Sequence, residues 1–307
     1  MKNVLITGGA GFIGRHLADY LLGRGDYAVT VLDNESLGDR KHLDLDRVRF
    51  LHGDLRDTDD LRKALDGQDA VVHLAADTRV MDSIEDPGNN FDNNVVGSFN
   101  LLQLSRELGV GRLVAASTGG AILGDVTPPV HERMAPRPTS PYGASKLMLE
   151  GYLSAYSASY GLSGCALRFS NIYGPRSFHK GSVVAHFFKR MLAGEPLVVY
   201  GDGSQARDFL YVGDLVEAIR AAVESDVQGA YQLGSGRPTT VNELLEVMRS
   251  VTGRDLDVVY EDFRPGEVRD TWCEIEKARR GFGFAPATPL EEGLRQTWEW
   301  FRAQPER

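Results

Sequence analysis

The chain has 307 residues, 42% of them hydrophobic and 25% charged, which suits a globular protein with core enough for one large domain or two joined ones. Its formal net charge of -9 offers no basic field to nucleic acid or to an anionic membrane. No apolar run approaches the ~20 residues of a membrane span, the N-terminal run is too short for a signal peptide, and Cys165 and Cys273 lie far apart without metal-ligand spacing, so a cytoplasmic protein with reduced thiols and no bound metal is expected.

Short β-branched runs alternate with amphipathic stretches of helical length. "NVLITG", "AVTVLD", "VRFLHGD", "DAVVHLA" and "RLVAAST" read as buried strands, with helices starting near Phe12, Thr58, Asn93 and Gly143. That alternation predicts an α/β fold, a Rossmann-type doubly wound parallel sheet covered on both faces. A further strand, "GCALRFS", ends near Ser170. After Asn171 prolines and glycines thicken, in "YGPRSFHKG", "YGDGSQARD" and "RPGEV". The reading is a dinucleotide-binding domain over 1–170 and a smaller C-terminal α/β substrate-binding lobe over 171–307, with a soft boundary that the chain is free to recross. His179 and Lys180 read as solvated loop residues.

In "VLITGGAGFIG", Gly8, Gly11 and Gly14 directly follow the first strand and open a helix. Glycine lets the backbone turn tightly and approach a pyrophosphate, whose charge meets the helix N-terminus; Phe12 and Ile13 share that turn. The triplet alone is weak, and its spacing is the G-x-x-G-x-x-G variant. Its context strengthens it. Asp33 closes the second strand in "VLDN", roughly twenty residues downstream, where a carboxylate binds adenosine ribose hydroxyls with Asn34 beside it. That carboxylate repels a 2′-phosphate and no arginine directly follows, so NAD is expected rather than NADP. Asp54 and Leu55, in "HGDL" after the third strand, face the adenine in this reading, although glycine–aspartate there is also plain turn chemistry. Ala75, just past the fourth strand, completes the cofactor side.

"SPYGASK" spaces Tyr142 and Lys146 by four, which on a helix puts both side chains on one face. A tyrosine of pKa ~10 is about 0.1% ionised at pH 7, and bringing it near 7 takes roughly 4 kcal/mol of differential stabilisation. An ammonium one turn away, together with the charge of an oxidised nicotinamide, is a source of that stabilisation.

"TGGAGFIG", "SPYGASK", "NIYGPR", "GDGSQARDF" and the closing "RPGEV…LEEGLRQTWEWF", in this order, resemble the extended short-chain dehydrogenase/reductase family, the nucleotide-sugar epimerases and dehydratases, over essentially the whole chain. The resemblance implies tightly held NAD, a UDP-sugar substrate, and Tyr142 as a proton-shuttling base tuned by Lys146, which holds the nicotinamide ribose. It implies that Ser117 or Thr118 gives a hydroxyl to the sugar, Thr118 being preferred, and that Asn94 of "FDNNVVGS" lies on the cofactor side. Asn171, Arg207, Arg264 and Glu267 match positions that hold the nucleoside diphosphate, where an arginine fork pairs bidentately with phosphate oxygens. An ordinary surface ion pair with Asp208 is the alternative for Arg207. Arg176 either meets a C6 carboxylate or braces its loop. A homodimer through the helices near Asn93–Leu108 and Gly143–Tyr160 is implied as well.

The stretch "AASTGGAILGD" separates the reactions within that family. Its dehydratases, and decarboxylases of UDP-glucuronate, resemble S-T-[DS]-E-V-Y-G there, with an acidic residue for chemistry after oxidation at C4. This chain has Gly119 and Gly120, and no carboxylate before Asp125. "STGGAILG" resembles the "STGGAIYG" of some UDP-glucose 4-epimerases, apart from Leu123 in place of tyrosine. The expected activity is therefore NAD-dependent, reversible C4 epimerisation of a UDP-hexose through a 4-keto sugar. Epimerisation of UDP-glucuronate or a UDP-N-acetylhexosamine is the nearest alternative, followed by a dehydratase or decarboxylase and by a non-catalytic NAD-sensing scaffold.

Overall fold

The computed structural model describes residues 1–263 and 269–304. The apolar runs form β1 (Lys2–Thr7), β2 (Tyr27–Asp33), β3 (Val48–His52), β4 (Ala70–His73), β5 (Arg112–Thr118) and β6 (Gly164–Phe169). A seventh strand, Gly229–Leu233, joins the far edge beside β6. From the opposite edge the order is β3-β2-β1-β4-β5-β6 and then the Gly229–Leu233 strand, with every pairing parallel. The chain leaves β1 toward one edge and β4 toward the other, so the carboxyl ends of these neighbours open a crevice that no crossover covers.

Alternate residues of each strand serve opposite faces. Val4 and Ile6 of β1 meet Leu17 and Leu21 of the Phe12–Arg24 helix and Leu215 and Ile219 of the Val212–Glu224 helix. Leu5, between them, faces Leu61, Leu101, Leu149 and Leu153, from the Thr58–Leu65, Gly97–Glu107 and Pro141–Tyr160 helices. Both faces are covered, which is why these strands read as unbroken apolar runs, each buried leucine contributing about 1.5–3 kcal/mol.

Two helix starts have local causes. Ser140 caps the Pro141–Tyr160 helix by accepting from the Gly143 N–H at 3.2 Å, with Pro141 in the first turn, and Gly161 at φ 73° ends it. The helix expected from Asn93 begins as a π-helix over Phe91–Val96 and becomes α-helical at Gly97. The wider turn is the kind that often marks a functional site, and it carries Asn94 to a buried position.

After Asn171 a second core forms around Phe188, Leu244, Trp298 and Phe301 of the Val183–Ala193, Val241–Thr252 and Leu290–Arg302 helices. The chain also recrosses to the main sheet, through the Val212–Glu224 helix and the Gly229–Leu233 strand. Among the described residues no helix is long and apolar enough to cross a membrane.

Two imidazoles are locked into this packing. His73 is hydrogen-bonded to Thr7 Oγ1 at 2.7 Å and Ser98 Oγ at 2.9 Å, while His16 Nε2 donates to the Pro175 carbonyl at 2.9 Å. Burial pushes His73 down to about 3 and His16 down to about 4. An unfolded histidine takes up its proton near 6.5, so between pH 6.5 and 4 the unfolded chain binds more protons and stability falls as pH falls. His16→Gln retains a donor to Pro175 and does not titrate. In urea unfolding across this range it is expected to shrink the acid-induced loss by an amount on the order of 3 kcal/mol. An undiminished slope would show that His16 does not contribute.

Candidate functional site

The crevice holds a cavity of about 860 Å³ whose wall follows the carboxyl ends of β1 to β5. Gly8, Gly11, Phe12, Ile13 and Gly14 form one side; Asp33, Asn34, Asp54, Leu55 and Ala75 continue it. Gly8 has φ 70°, and a Cβ there would sit 2.6 Å from the Ala75 nitrogen. A Cβ on Gly14 would lie 2.5 Å from the Gly9 Cα. Side chains are excluded at both places because backbone meets backbone. The Phe12–Arg24 helix starts from Gly11 with no side-chain cap and no acidic residue in its first turn. Its first N–H groups and positive dipole end are thus left for an anion.

Asp33 is 8% exposed and accepts from the Ala10 N–H at 2.9 Å and the Glu35 N–H at 2.7 Å. Burial raises its pKa, against those two donors. The remaining lone pairs of its carboxylate suit vicinal hydroxyls. Asp54 differs: Arg56 takes it in a fork at 2.8 Å on each oxygen and Asn34 Nδ2 donates at 2.9 Å. The guanidinium holds it far below the usual carboxylate range, and both oxygens are already engaged. A backbone cradle, an uncapped helix start and a buried acceptor at the end of β2 fit the diphosphate and adenosine ribose of a dinucleotide.

Tyr142 and Lys146 reach the same wall from the first turns of the Pro141–Tyr160 helix, 9% and 4% exposed. Lys146 Nζ donates to the Ala116 carbonyl at 3.0 Å and lies 6.0 Å from the Tyr142 ring centroid. Burial pushes Tyr142 up to about 12 and Lys146 down to about 8, the latter opposed by the charge of Glu150. Lys146 alone therefore does not bring the phenol toward neutrality; desolvation outweighs it, and further positive charge is needed at the wall.

Ser117 and Thr118 separate, as consecutive strand residues do. Ser117 lies on the cavity wall and donates its hydroxyl to Glu150 Oε1 at 2.6 Å. Thr118, the preferred hydroxyl, is not among the wall residues, and its Oγ1 accepts from the Ala121 N–H at 3.4 Å. Beyond it, a Cβ on Gly119 would approach Gln232 Oε1 to 3.0 Å and the Phe169 carbonyl to 3.1 Å, so the loop packs tightly on β6 and its neighbour. Asn94 stands behind the wall. It accepts from the Asp77 N–H at 2.8 Å and donates to the Asp77 carbonyl at 2.9 Å and Ser145 Oγ at 3.3 Å, tying the loop after β4 to the helix of Tyr142.

The remaining residues divide. Arg176, at φ 62°, pairs with Asp19 at 2.6 Å outside the wall, the arrangement expected of a loop brace. Asn171 donates through its backbone and side chain to the Asp208 carbonyl at 3.0 and 3.3 Å. Arg207 Nη1 donates to the carbonyls of Ala206 at 3.0 Å and Arg269 at 2.6 Å. The Asp208 carboxylate is buried and accepts from Ser235, Gly236 and Cys273. Arg264 and Glu267 lie outside the described residues. His179 and Lys180, read as solvated loop, line the cavity with Gly181 and Ser182, and burial lowers the pKa of Lys180. Nothing local announces that placement: the loop is drawn in when Arg15 and His16 bind the carbonyls of Arg176 and Pro175.

Residues 4–234 match the NAD dependent epimerase/dehydratase family. The chain belongs to that family. It is similar to the UDP-glucose 4-epimerase of Thermotoga maritima, crystallised with UDP-glucose, at 39% identity and TM-score 0.93 over 98% of each chain. The UDP-glucose 4-epimerase of Thermus thermophilus, in complex with NAD, shares 40% identity at TM-score 0.91, over 98% of this chain and 99% of that one. The UDP-N-acetylglucosamine 4-epimerase of Methanobrevibacter ruminantium, in complex with UDP-N-acetylmuramic acid, shares 36% identity at TM-score 0.94 over 99% of each.

The glycine cradle is directly testable. Gly14→Ala forces its new methyl against the backbone of Gly8 and Gly9. A stability loss of about 1–3 kcal/mol in urea unfolding is expected. NAD released from the acid-denatured protein should fall with it. Unchanged stability together with unchanged NAD content would refute the cradle.

Proposed function

We propose that this protein is a cytoplasmic, NAD-dependent 4-epimerase of a UDP-hexose of the glucose/galactose type. The observation that carries the reading is the Tyr142–Lys146 pair on the wall of a dinucleotide-shaped cavity whose carboxylates offer no acid for elimination. Among the described residues the wall carboxylates are Asp33, Asp54 and Asp77. Asp33 sits on the adenosine side, and Asp54 and Asp77 are held by Arg56 and Arg79. The sequence after Thr118 is Gly119–Gly120 rather than an acid. A dehydratase needs a group there to expel water once C4 is oxidised; an epimerase does not.

NAD bound in the cavity supplies the reversible hydride acceptor for C4. Tyr142 takes the O4 proton as the alcohol becomes a ketone and returns it when C4 is reduced from its other face. Lys146, cationic at neutral pH, stabilises the phenolate and offers its ammonium to the nicotinamide ribose. Thr118, which lies just beyond the wall, accepts from the Ala121 N–H and keeps its own proton for O4, whereas Ser117, on the wall, has its proton taken by Glu150 and serves O4 only if that bond is exchanged. Asn94 holds the loop after β4 against the cofactor. Asn171, Arg207, Arg264 and Glu267 pin the UDP end, and pinning the nucleotide while leaving the hexose loose lets C4 present either face.

The reading is tested by proton NMR of the purified protein with UDP-glucose, UDP-glucuronate and the two UDP-N-acetylhexosamines, without added NAD. A new anomeric signal from a C4 epimer is expected, and Tyr142→Phe should lower the rate roughly 10²–10⁴-fold with NAD still bound. A 4-keto-6-deoxy product would make it a dehydratase. Near-normal turnover of the variant would remove Tyr142 from the mechanism.

A second copy of the chain is the partner we assign to the outer faces of the Gly97–Glu107 and Pro141–Tyr160 helices. Phe99, Tyr152 and Tyr160 are exposed there, with Phe99 edge-on to Tyr152 at 5.6 Å and Tyr156 to Tyr160 at 5.1 Å. Such an aromatic stripe suits a self-complementary interface. Light scattering is expected to give a dimer for the wild type and a monomer for Tyr152→Glu; an unchanged mass would place the interface elsewhere.

A further inference from the structure

Behind the wall, three strands and a helix enclose a charged pair that the epimerase reading does not use. Arg168 of β6 and Glu150 of the Pro141–Tyr160 helix have side chains only 4% and 10% exposed. Arg168 Nε donates to Glu150 Oε1 at 2.9 Å and Nη2 to Oε2 at 2.7 Å, a bidentate fork that Ser117 completes at 2.6 Å. In the β5–β6 register Ser117 stands beside Arg168, and Gln232 of the edge strand stands on its other side. The packing does not need charge. Well-packed apolar residues of similar volume often stabilise an interior as well as or better than an ion pair, because each buried ion pays for desolvation. This pair is also incompletely satisfied: among the described residues Arg168 Nη1 has no hydrogen-bond partner, and neither does the amide of the fully buried Gln232. Its use lies in where the carboxylate sits, one helical turn beyond Lys146.

We infer that Glu150 is a positioning residue for the Tyr142–Lys146 pair: anchored by Arg168, it holds the end of β5 through Ser117 and presents its negative charge to Lys146. The geometry supplies both halves. Ala116 and Ser117 are consecutive on β5; the first accepts from Lys146 Nζ at 3.0 Å and the second donates to Glu150 at 2.6 Å. Helix and strand are therefore pinned at two successive residues, one of them the lysine's own anchor. Among the described residues, the groups around Lys146 leave Glu150 as the source of negative charge. Tyr142, on its own helix, is neutral; His73 of β4 is neutral, pushed down to about 3 by burial and then by Lys146 itself. β5 offers the Ala116 carbonyl, β6 offers Arg168 behind the carboxylate, and the neutral Asn94 bonds the Asp77 backbone and Ser145. Burial alone drives Lys146 toward its neutral form, and Glu150 opposes that, leaving it at about 8. Without the carboxylate the lysine is expected to titrate lower still and to lose part of its positive charge near neutral pH.

This inference rests on the epimerase reading for its consequence in catalysis but not for its first test. Lys146 is followed by its 13C-labelled ε-carbon in NMR titrations of the full-length protein as purified, with the signal assigned through Lys146→Met. The comparison is between wild type, Glu150→Gln and the double variant Glu150→Gln/Arg168→Met. The double variant removes both buried charges, so it carries the test where the single variant, leaving Arg168 unpaired, does not fold. In either variant the Lys146 midpoint is expected to fall by about one pH unit or more. The alkaline limb of the kcat profile for UDP-hexose conversion should move to lower pH with it, giving about a tenfold loss one unit above the new midpoint. A folded variant whose Lys146 titrates where the wild-type lysine does overturns the inference, whatever its activity. A wild type that converts no UDP-sugar overturns the proposed function and leaves the titration to judge Glu150.

Discussion

The approach of Gly8 to Ala75 is the constraint on which the rest of this structure depends. Two parallel strands, β1 and β4, end side by side, and the chain leaves them toward opposite edges of the sheet. Their loops are pressed so closely together that no side chain fits at Gly8. That contact forms the cavity floor, directs the Phe12–Arg24 helix with its uncapped N–H groups into the opening, and brings Asp33 of β2 to one end. A polar, anion-receptive backbone surface results in a place that is otherwise apolar core.

At the other end of the cavity, burial and charge oppose one another. Tyr142 and Lys146 are removed from water by the same packing that presents them to the cavity, and desolvation pushes each toward its neutral form. A neutral phenol and a lysine held just on the cationic side of neutrality form a pair whose ionisation responds strongly to added charge. A positive charge brought into the cavity beside them would therefore shift the ionisation of both. This is the reason to read the buried Glu150–Arg168 pair as part of the site rather than as ordinary core.

The C-terminal lobe reaches the cavity by an indirect route. The loop carrying His179 and Lys180 closes the wall because Arg15 and His16, on the helix that follows the glycine cradle, bind the carbonyls of Arg176 and Pro175. Arg176 turns away to Asp19 on the same helix. The Phe12–Arg24 helix thus holds this loop by its backbone.

The sequence by itself determined the first six strands of the sheet, the helices between them, the glycine cradle, Asp33, and the Tyr142–Lys146 spacing. Each of these is a short-range pattern: alternation, an i to i+4 repeat, or a glycine where backbone conformation demands one. Tertiary structure decided what depends on contacts between distant segments. It turned Ser117 toward Glu150 and set Thr118 apart, paired Arg176 with Asp19 of a distant helix, and drew Lys180 to the cavity. It also set the Tyr142 phenol high, because desolvation is a property of the whole surrounding volume and cannot be read from the residue four places away.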